Sequence, residues 1–243
     1  MPLVTEHELR FLQQALALHK AGRAAEAEVA YRQTLAMNPN NSDALHMLGI
    51  RLHQHQHSAE AVPLIDRAAS LQPRNQDIFI NLAEVCRATG QVDRGLEAIR
   101  RALQLSPSNG TAYTNQAALL RAAGRMDEAL AAARKAMQLD PRQPLAYTHA
   151  GCCLFERDPA AALPLFLRAV ELDPTNADAI STLGVCYERL QRLEEALACQ
   201  QRALPLSPNN FYVLRNLGSA LANLGRYPEA MQVFERAVAM NPD

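Results

Sequence analysis

A proline recurs every 34 residues along almost the whole chain, and this period constrains the fold more than any other feature. The step between successive prolines is 34 residues in every case but one, where it is 33. The series is Pro39, Pro73, Pro107, Pro141, Pro174, Pro208 and Pro242. A fixed period of this length is typical of a solenoid, in which each repeat packs mainly against its neighbours. The sequence therefore predicts seven copies of one unit.

The last repeat displays the unit most clearly, as two amphipathic helices joined by a turn. Apolar and small residues recur at intervals of three and four, which predicts helices over Val213–Leu224 and Pro228–Met240. Gly225 can take the left-handed conformation that ends a helix, and Pro228 suits the first turn of the next one. Seven such units predict an all-α solenoid of about fourteen antiparallel helices.

Three positions of the unit are nearly always Ala or Gly, and they indicate how its helices pack. They stand 24, 12 and 5 residues before the proline, as Gly184, Ala196 and Ala203 do in the sixth repeat. Small side chains there let two helix backbones approach closely, whereas bulkier ones would force the helices apart. We expect all three positions to be buried crossing points.

Helix starts can also be located from the sequence. An asparagine two residues after the proline can cap the next helix by accepting hydrogen bonds from free backbone amides. These residues are Asn41, Asn75, Asn109, Asn176 and Asn210. Near the N-terminus, Thr5 with Glu8 forms a capping box, and Val4 with Leu9 forms a hydrophobic staple. We expect a helix to begin there.

Some repeats depart from the pattern. Gln56 and Gln191 replace the turn glycine, and Pro63 and Pro164 lie inside second helices, where proline removes a backbone hydrogen bond. We expect a local irregularity at these prolines. The fifth repeat is one residue short, and the deletion falls at its turn, around residues 155–161.

Composition excludes several classes of protein. The 24 Lys and Arg residues balance 25 Asp and Glu residues, which argues against a nucleic-acid binder. No stretch resembles a signal peptide or a membrane span. The cysteines are odd in number and lie within helical patterns, as Cys86, Cys152, Cys153, Cys186 and Cys199. Buried thiols in a reducing compartment explain them better than disulfides, so we predict a soluble, cytoplasmic protein.

The order Leu-Gly, Gly, Glu-Ala, an aromatic or aliphatic residue, Ala and Pro resembles the tetratricopeptide repeat. The resemblance covers about residues 8–243, and we treat residues 1–243 as a single domain. The repeats span about 8–41, 42–75, 76–109, 110–143, 144–176, 177–210 and 211–243. The resemblance implies a right-handed superhelix whose first helices line a concave groove, and it implies binding of protein or peptide segments in that groove.

One position of the first helix, just before the Leu-Gly pair, is often asparagine. We call it the ladder position. It is occupied by Met47, Asn81, Asn115, His149, Thr182 and Asn216. The three asparagines resemble the ladder of the O-linked N-acetylglucosamine transferase superhelix, whose amides hold a peptide backbone. An amide both donates and accepts, so such a ladder can bind an extended chain. The alternative is that asparagine is merely common and solvated there.

Other candidates for the peptide-binding face flank this position. They are Asp77, Glu84, Arg121, Asp178, Glu188, Tyr212 and Arg215. Their charges are mixed, so they predict no strongly acidic or basic ligand. The lysine clamp with which some cochaperones of this family hold a carboxylate is not reproduced, since only Lys20 and Lys135 are lysines.

No catalytic residues, metal ligands or cofactor are predicted. His53 and His57 stand four residues apart, a spacing that can bind Zn²⁺, but no glutamate of a metalloprotease motif lies between them. With His46 and His55 they are interpreted as an exposed polar helix end. The glycines lie at crossings and turns, which differs from a phosphate-binding loop. The segment is therefore predicted not to be an enzyme.

Two functional hypotheses follow. The first is a cytoplasmic scaffold that binds a protein or an extended peptide. The second is the recognition region of a larger bacterial glycosyltransferase, similar to O-GlcNAc transferase or SPINDLY, or of a sulfotransferase, which requires a reading frame that continues past Asp243. Met231, Phe234 and Val238 form an apolar face in the last repeat. We expect either continuation of the chain, which we favour, or end-to-end self-association through that face.

Overall fold

The computed structural model describes residues 6–240, and within them the chain is helical, without a strand. Backbone contacts divide the chain into two compact units, Met1–Ala123 and Gly124–Asp243. The division falls in the turn of the fourth repeat. The single domain over residues 1–243 stays a prediction.

Each unit holds seven helices in its described part. The first unit contains α1 (Glu6–Lys20), α2 (Ala24–Met37), α3 (Ser42–Gln54), α4 (Ser58–Leu71), α5 (Gln76–Ala88), α6 (Val92–Leu105) and α7 (Gly110–Ala122). The second unit contains α8 (Met126–Leu139), α9 (Pro144–Phe155), α10 (Pro159–Leu172), α11 (Ala177–Arg189), α12 (Leu193–Leu206), α13 (Phe211–Asn223) and α14 (Tyr227–Met240).

Contacts within each unit are those of a solenoid. Within each unit every helix packs against the next one, and α5 also touches α3 and α7, while α11 also touches α13. In these pairs, first helices of adjacent repeats therefore lie beside one another. The predicted fold class, an all-α solenoid of about seven helix–turn–helix units, is confirmed.

The crossing points are buried as the small side chains predict. Ala27, Ala61 and Ala196 are at most 1% exposed. A methyl group added to Gly218 would lie 2.5 Å from Phe234 Cε1, and one added to Gly151 would lie 2.6 Å from Phe166 Cε1. Since real atoms do not approach so closely, an aromatic ring of the second helix already fills the space that a side chain would need.

The helix caps agree with the sequence where the structure describes them. All five predicted asparagines cap a helix, and Asn41 Oδ1, for example, accepts from the Ala44 amide at 2.9 Å. Thr5 and Val4 lie outside the described residues. Glu8 is buried, and its carboxylate accepts from the side-chain amides of Asn38 and Asn41 at 2.8 and 2.7 Å.

The turn within a repeat needs a left-handed residue, even where glycine is missing. Gly225 has φ of 75°, and Gln56 and Gln191 take the same conformation with φ of 66° and 59°. Within the described chain these two glutamines are the non-glycine residues with positive φ. The repeat therefore imposes the turn on residues that do not favour it.

The fifth repeat reaches its turn differently. Helix α9 has 12 residues, one fewer than α11 and α13, so the predicted deletion shortens the end of the first helix. Asp158 then caps α10 by accepting from the Ala161 amide at 3.0 Å. Pro63 lies inside α4 and Pro164 inside α10. Each helix is 14 residues long and continues through its proline.

Candidate functional site

We call the side of each unit on which first helices lie together the first-helix surface; it comprises α3, α5 and α7 in the first unit and α11 and α13 in the second. The predicted site residues all stand on first helices. Asp77, Asn81 and Glu84 lie on α5, Asn115 and Arg121 on α7, His149 on α9, Asp178, Thr182 and Glu188 on α11, and Tyr212, Arg215 and Asn216 on α13.

In the first unit, Asn81 is bound to the preceding first helix. Its Nδ2 lies 2.8 Å from His46 Nε2, so a neutral imidazole accepts the hydrogen bond. Burial lowers the pKa of His46 below its ordinary value of 6.5, although the nearby Asp77 and Asp43 raise it. Further along the same helices, His53 Nε2 lies 3.8 Å from Glu84 Oε1.

In the second unit, the corresponding contacts join α11 to α13. Asn216 Nδ2 donates to Ser181 Oγ at 3.0 Å. Glu188 Oε1 accepts from Ser219 Oγ at 2.9 Å and also from the side-chain amide of Asn223. Three polar residues of α13 therefore face two of α11.

These contacts are one pattern that occurs in both units. His46 and Ser181 each stand seven residues after a proline, and Asn81 and Asn216 each stand eight residues after the following one. We call the pairs His46–Asn81 and Ser181–Asn216 the interrepeat seam. The sequence predictions missed it because they treated the ladder position alone. A polar residue one place before that position in the preceding repeat is the signal that identifies it.

The seam of the second unit continues into the core. The Ser181 hydroxyl donates to Gln200 Oε1 at 2.8 Å, and Gln200 Nε2 donates to the Ser181 carbonyl at 2.9 Å. Gln200 is 1% exposed and occupies the place that Phe166 and Phe234 fill in other repeats. Because these polar groups are satisfied by one another, the side chain of Asn216 is held in one orientation.

Asn115 differs from the other two asparagines. The residue at the seam position before it is Ile80, which offers no polar group. Asn115 is half-buried, and its side chain makes no hydrogen bond to any residue that the structure describes. Among the three ladder asparagines, Asn115 is therefore the one whose whole side-chain amide is available to hydrogen-bond a ligand.

The remaining ladder positions behave individually. The Thr182 hydroxyl donates to the Asp178 carbonyl one turn earlier at 2.7 Å. His149 and Arg121 are half-buried on their helices. The structure therefore places the predicted residues on first helices without giving them one common role.

A cavity of about 770 Å³ opens between α11 and α13. Its wall contains three predicted site residues, Glu188, Arg215 and Asn216, together with the unpredicted Ser219 and Asn223. Outside it, Tyr212 is 63% exposed, and the Arg215 guanidinium lies 5.4 Å from its ring centre. Asp178 accepts from Asn210 Nδ2 at 3.1 Å, which ties it to the start of α13.

The two histidines with metal-binding spacing have other partners. His53 Nδ1 lies 2.8 Å from Ser58 Oγ, and His57 Nδ1 lies 3.2 Å from Glu60. Over residues 6–240, no three His, Cys, Asp or Glu side chains are grouped so as to hold a metal ion. Cys86, Cys186 and Cys199 are free thiols. Burial raises the pKa of Cys199 to about 11, so this thiol stays protonated near neutral pH.

Among the helices of the described chain, none combines the length and the apolar character that crossing a bilayer requires.

Two family models, both described as tetratricopeptide repeat, match the sequence. One matches residues 183–243. The other matches residues 12–78, 46–110, 81–144 and 154–211, which together are more than half of the chain. No curated protein sequence matches at a significant level. The comparisons lend no support to the expected likeness to the repeat regions of glycosyltransferases or sulfotransferases.

Solved structures share the fold at low sequence identity. A chain of the APC/C heterotetramer Cut9–Hcn1 superposes with a TM-score of 0.83 at 18% identity, over 94% of this chain but only 46% of its own length. A tetratricopeptide repeat protein from Parabacteroides merdae gives 0.77 at 15% identity, over 98% of this chain and 94% of its own. YrrB, a repeat protein with an unusual peptide-binding site, gives 0.55 at 24% identity, over 74% and 93%.

Proposed function

The chain belongs to the tetratricopeptide-repeat family, and on that premise we propose that it is a scaffold that binds a protein or an extended peptide segment on its first-helix surfaces. Repeats of this family typically serve protein–protein interaction without catalysis. The observation that carries the proposal is the open cavity of about 770 Å³ in the second unit, on which amide, hydroxyl, carboxylate and guanidinium groups converge.

In the first unit the proposal rests on Asn115. Its amide offers one acceptor and two donors, the set that pairs with a backbone carbonyl and a backbone amide of an extended chain. Asn81 contributes less, because one of its two N–H groups is bound to His46. Asp77 and Glu84 on the neighbouring α5 supply further acceptors.

The choice of a peptide or protein over other ligands has support from the comparisons and from charge. YrrB, which shares the fold, is described as having a peptide-binding site. The formal net charge of −1 gives nucleic acid no general attraction. We assign this activity to the cytoplasm, because Cys86, Cys186 and Cys199 are free thiols, as in a reducing compartment.

Self-association through α14 is a further part of the proposal. Met231 and Val238 are 62% and 59% exposed, and with Phe234 they line a shallow cavity of about 470 Å³. Leu197, the counterpart of Met231 in α12, is only 4% exposed because Leu217 and Leu221 of α13 cover it. A helix face of this kind is suited to contact with another helix, and we propose that a second copy supplies it.

The test of the scaffold proposal begins with capture of partners by the full chain and chemical cross-linking, with cross-linked positions mapped by mass spectrometry. We expect cross-links at first-helix residues. Asn115→Ala should weaken binding of a captured partner about five- to thirtyfold, because it removes one or two hydrogen bonds worth ~1 kcal/mol each.

The matched control is Asn209→Ala, an exposed asparagine between helices that should leave binding unchanged. Cross-links confined to second helices, with full affinity retained by Asn115→Ala, would contradict the proposal.

A further inference from the structure

Glu188 is the one carboxylate among the described residues that line the α11–α13 cavity. It is half-buried, and Ser219 and Asn223 of α13 both donate to it. Both donors are neutral, so they fix the position of the carboxylate and leave its charge in place. The cavity therefore contains a single anion whose position is set before any ligand arrives.

The arginines close to Glu188 in the sequence are engaged elsewhere. Arg189 also lines the cavity, but its guanidinium pairs with Glu156 at 3.6 Å and lies 5.7 Å from the Phe155 ring centre. Arg192 donates to Glu195 at 2.9 Å and lies over the ring of Tyr187.

Arg215 lies over the exposed ring of Tyr212, and its Nε and Nη2 donate to Asn216 Oδ1 at 3.4 and 3.3 Å. Glu188 consequently forms no ion pair within residues 6–240, although Arg189 and Arg192 lie near it in the sequence and Arg215 lines the same cavity. Arg189 and Arg192 already have carboxylate partners, so neither of them competes with a ligand cation for Glu188.

A half-buried carboxylate without a counter-charge favours a ligand that supplies one. Electrostatic attraction is stronger in a partly desolvated cavity than in water, and hydrogen bonds between charged partners are stronger than neutral ones. Arg215 repels a ligand cation only weakly, because its guanidinium stacks on an exposed ring and solvent screens its charge. Asn216 Nδ2 is held by Ser181, and its Oδ1 accepts hydrogen bonds of 3.3 and 3.4 Å from Arg215, which are long enough for a closer donor to displace.

We propose that this cavity binds a lysine or arginine side chain of an extended partner segment. The side-chain cation pairs with Glu188, and Asn216 Oδ1 accepts a hydrogen bond from the segment's backbone. Ser181 and Gln200 are positioning residues, because they hold Asn216 in the orientation that presents this oxygen. The inference rests on the proposed function and adds the chemistry of the partner.

The experiment uses the full chain, ¹⁵N-labelled, titrated with two short capped Gly–Ser peptides that carry either one central arginine or one central glutamate. The arginine peptide should shift the amide signals of residues around Glu188, Asn216 and Asn223 at low salt and bind more weakly as salt is raised. Glu188→Gln keeps an acceptor for Ser219 and Asn223 but removes the charge. It should weaken the arginine peptide about tenfold.

Control variants separate charge from structure. Glu194→Gln removes an exposed carboxylate of α12 outside the cavity and should bind the arginine peptide like the wild type. Ser181→Ala should weaken binding while Gln200 keeps the helix pair closed, as judged by an unchanged circular dichroism spectrum.

Two results would overturn the inference. One is a preference for the glutamate peptide that is lost in Arg215→Gln, which would identify an acidic ligand. The other is full affinity of Glu188→Gln for the arginine peptide. Either leaves the scaffold proposal standing, because that proposal is read from mapped cross-links and from Asn115→Ala.

Discussion

At the scale of single residues, Gln56 and Gln191 carry a conformational cost that the other turns avoid. Both have positive φ, which L-residues with a Cβ adopt at a cost of about 1 kcal/mol or more. We expect Gln56→Gly and Gln191→Gly each to raise the free energy of unfolding by ~0.5–1 kcal/mol, because glycine takes this conformation freely. Urea denaturation of each variant measures the change.

The control for these two variants is the same substitution in a helix. Gln201 is exposed within α12, where glycine is less favourable than other residues. Gln201→Gly should lower the free energy of unfolding by roughly 0.5–1 kcal/mol. A decrease for Gln56→Gly as well would show that its side chain contributes something beyond the turn.

The three ladder asparagines should differ in their effect on stability. Alanine is the better helix former, so Asn115→Ala should be neutral or stabilising by up to ~0.5 kcal/mol. Asn81→Ala and Asn216→Ala also lose an interhelix hydrogen bond, and we expect each to be about 0.5–1.5 kcal/mol less stable than Asn115→Ala. Thermal and urea denaturation of the three variants provides the comparison.

A double-mutant cycle tests the cause of that difference. The double variant Asn216→Ala with Ser181→Ala should lose less stability than the sum of the two single variants, because both substitutions remove the same hydrogen bond. Strict additivity would contradict the seam.

His46 should make stability depend on pH. Burial lowers its pKa in the folded chain below 6.5, so the unfolded chain binds the extra proton first as pH falls. Stability should therefore be greatest above pH 6.5 and decline as pH falls through the folded pKa. His46→Gln keeps an acceptor for Asn81 and should flatten this decline, as measured by urea denaturation between pH 7.5 and 5. An identical decline in the variant would assign the effect to other groups.

The sequence predicted the roles of residues whose partners lie close by in the chain, but it did not predict contacts between residues of adjacent repeats. The asparagine caps were predictable because a cap and its amides lie within three residues of one another. The pair Ser181–Asn216 was not, because its members lie 35 residues apart and neither residue type is unusual at its own position. Gln200 was missed for the same reason: its burial is clear only once Ser181 is seen to satisfy its amide.

At the scale of helices, the crossing points predict which substitutions the fold rejects. Gly184 lies against Gln200 and Cys199 of α12, and Ala196 is 1% exposed. We expect Gly184→Leu and Ala196→Leu each to lower the free energy of unfolding by about 1–3 kcal/mol, because the helix pair must separate to admit the side chain. Thermal denaturation followed by circular dichroism measures this loss.

Ala198→Leu is the control for the crossing points. It lies on the same helix α12 but is exposed, so leucine there should change stability by less than ~0.5 kcal/mol. Equal losses for Ala196→Leu and Ala198→Leu would mean that helix propensity, and not crossing, decides the result.

Helix bounds followed the sequence pattern closely, with informative differences. The first helix of the last repeat was predicted to begin at Val213 and begins at Phe211, because Asn210 caps it two residues earlier. The prolines inside α4 and α10 were expected to disturb their helices, yet both helices are continuous. The carbonyls that lose a donor belong to Ala59 and Ala160, which are exposed, so water can hydrogen-bond to them.

At the scale of the whole molecule, the period predicted the number of helices but not the roles of its surfaces. Seven repeats that share one helix–turn–helix arrangement predict fourteen helices, and residues 6–240 contain fourteen. The role of each first helix depends on pairs of residues from adjacent repeats, so Asn115 and Asn216 differ although their positions in the repeat are identical. Repetition therefore predicts architecture, and departures from repetition determine which residues can meet a ligand.

The apolar face of α14 leads to the last prediction. Met231 and Val238 are more than half exposed, and the area they offer is small beside the ~1,600 Å² of a standard interface, so we expect a weak association of two copies. Sedimentation velocity should reveal an average mass that rises with protein concentration. Replacing Met231 and Val238 together by lysine should abolish this rise, because two charges would have to be buried. Val29→Lys changes a valine on α2 that is 56% exposed and should leave the association intact. A mass independent of concentration in the unmodified chain would contradict self-association through α14 and leave its apolar face to a different helix.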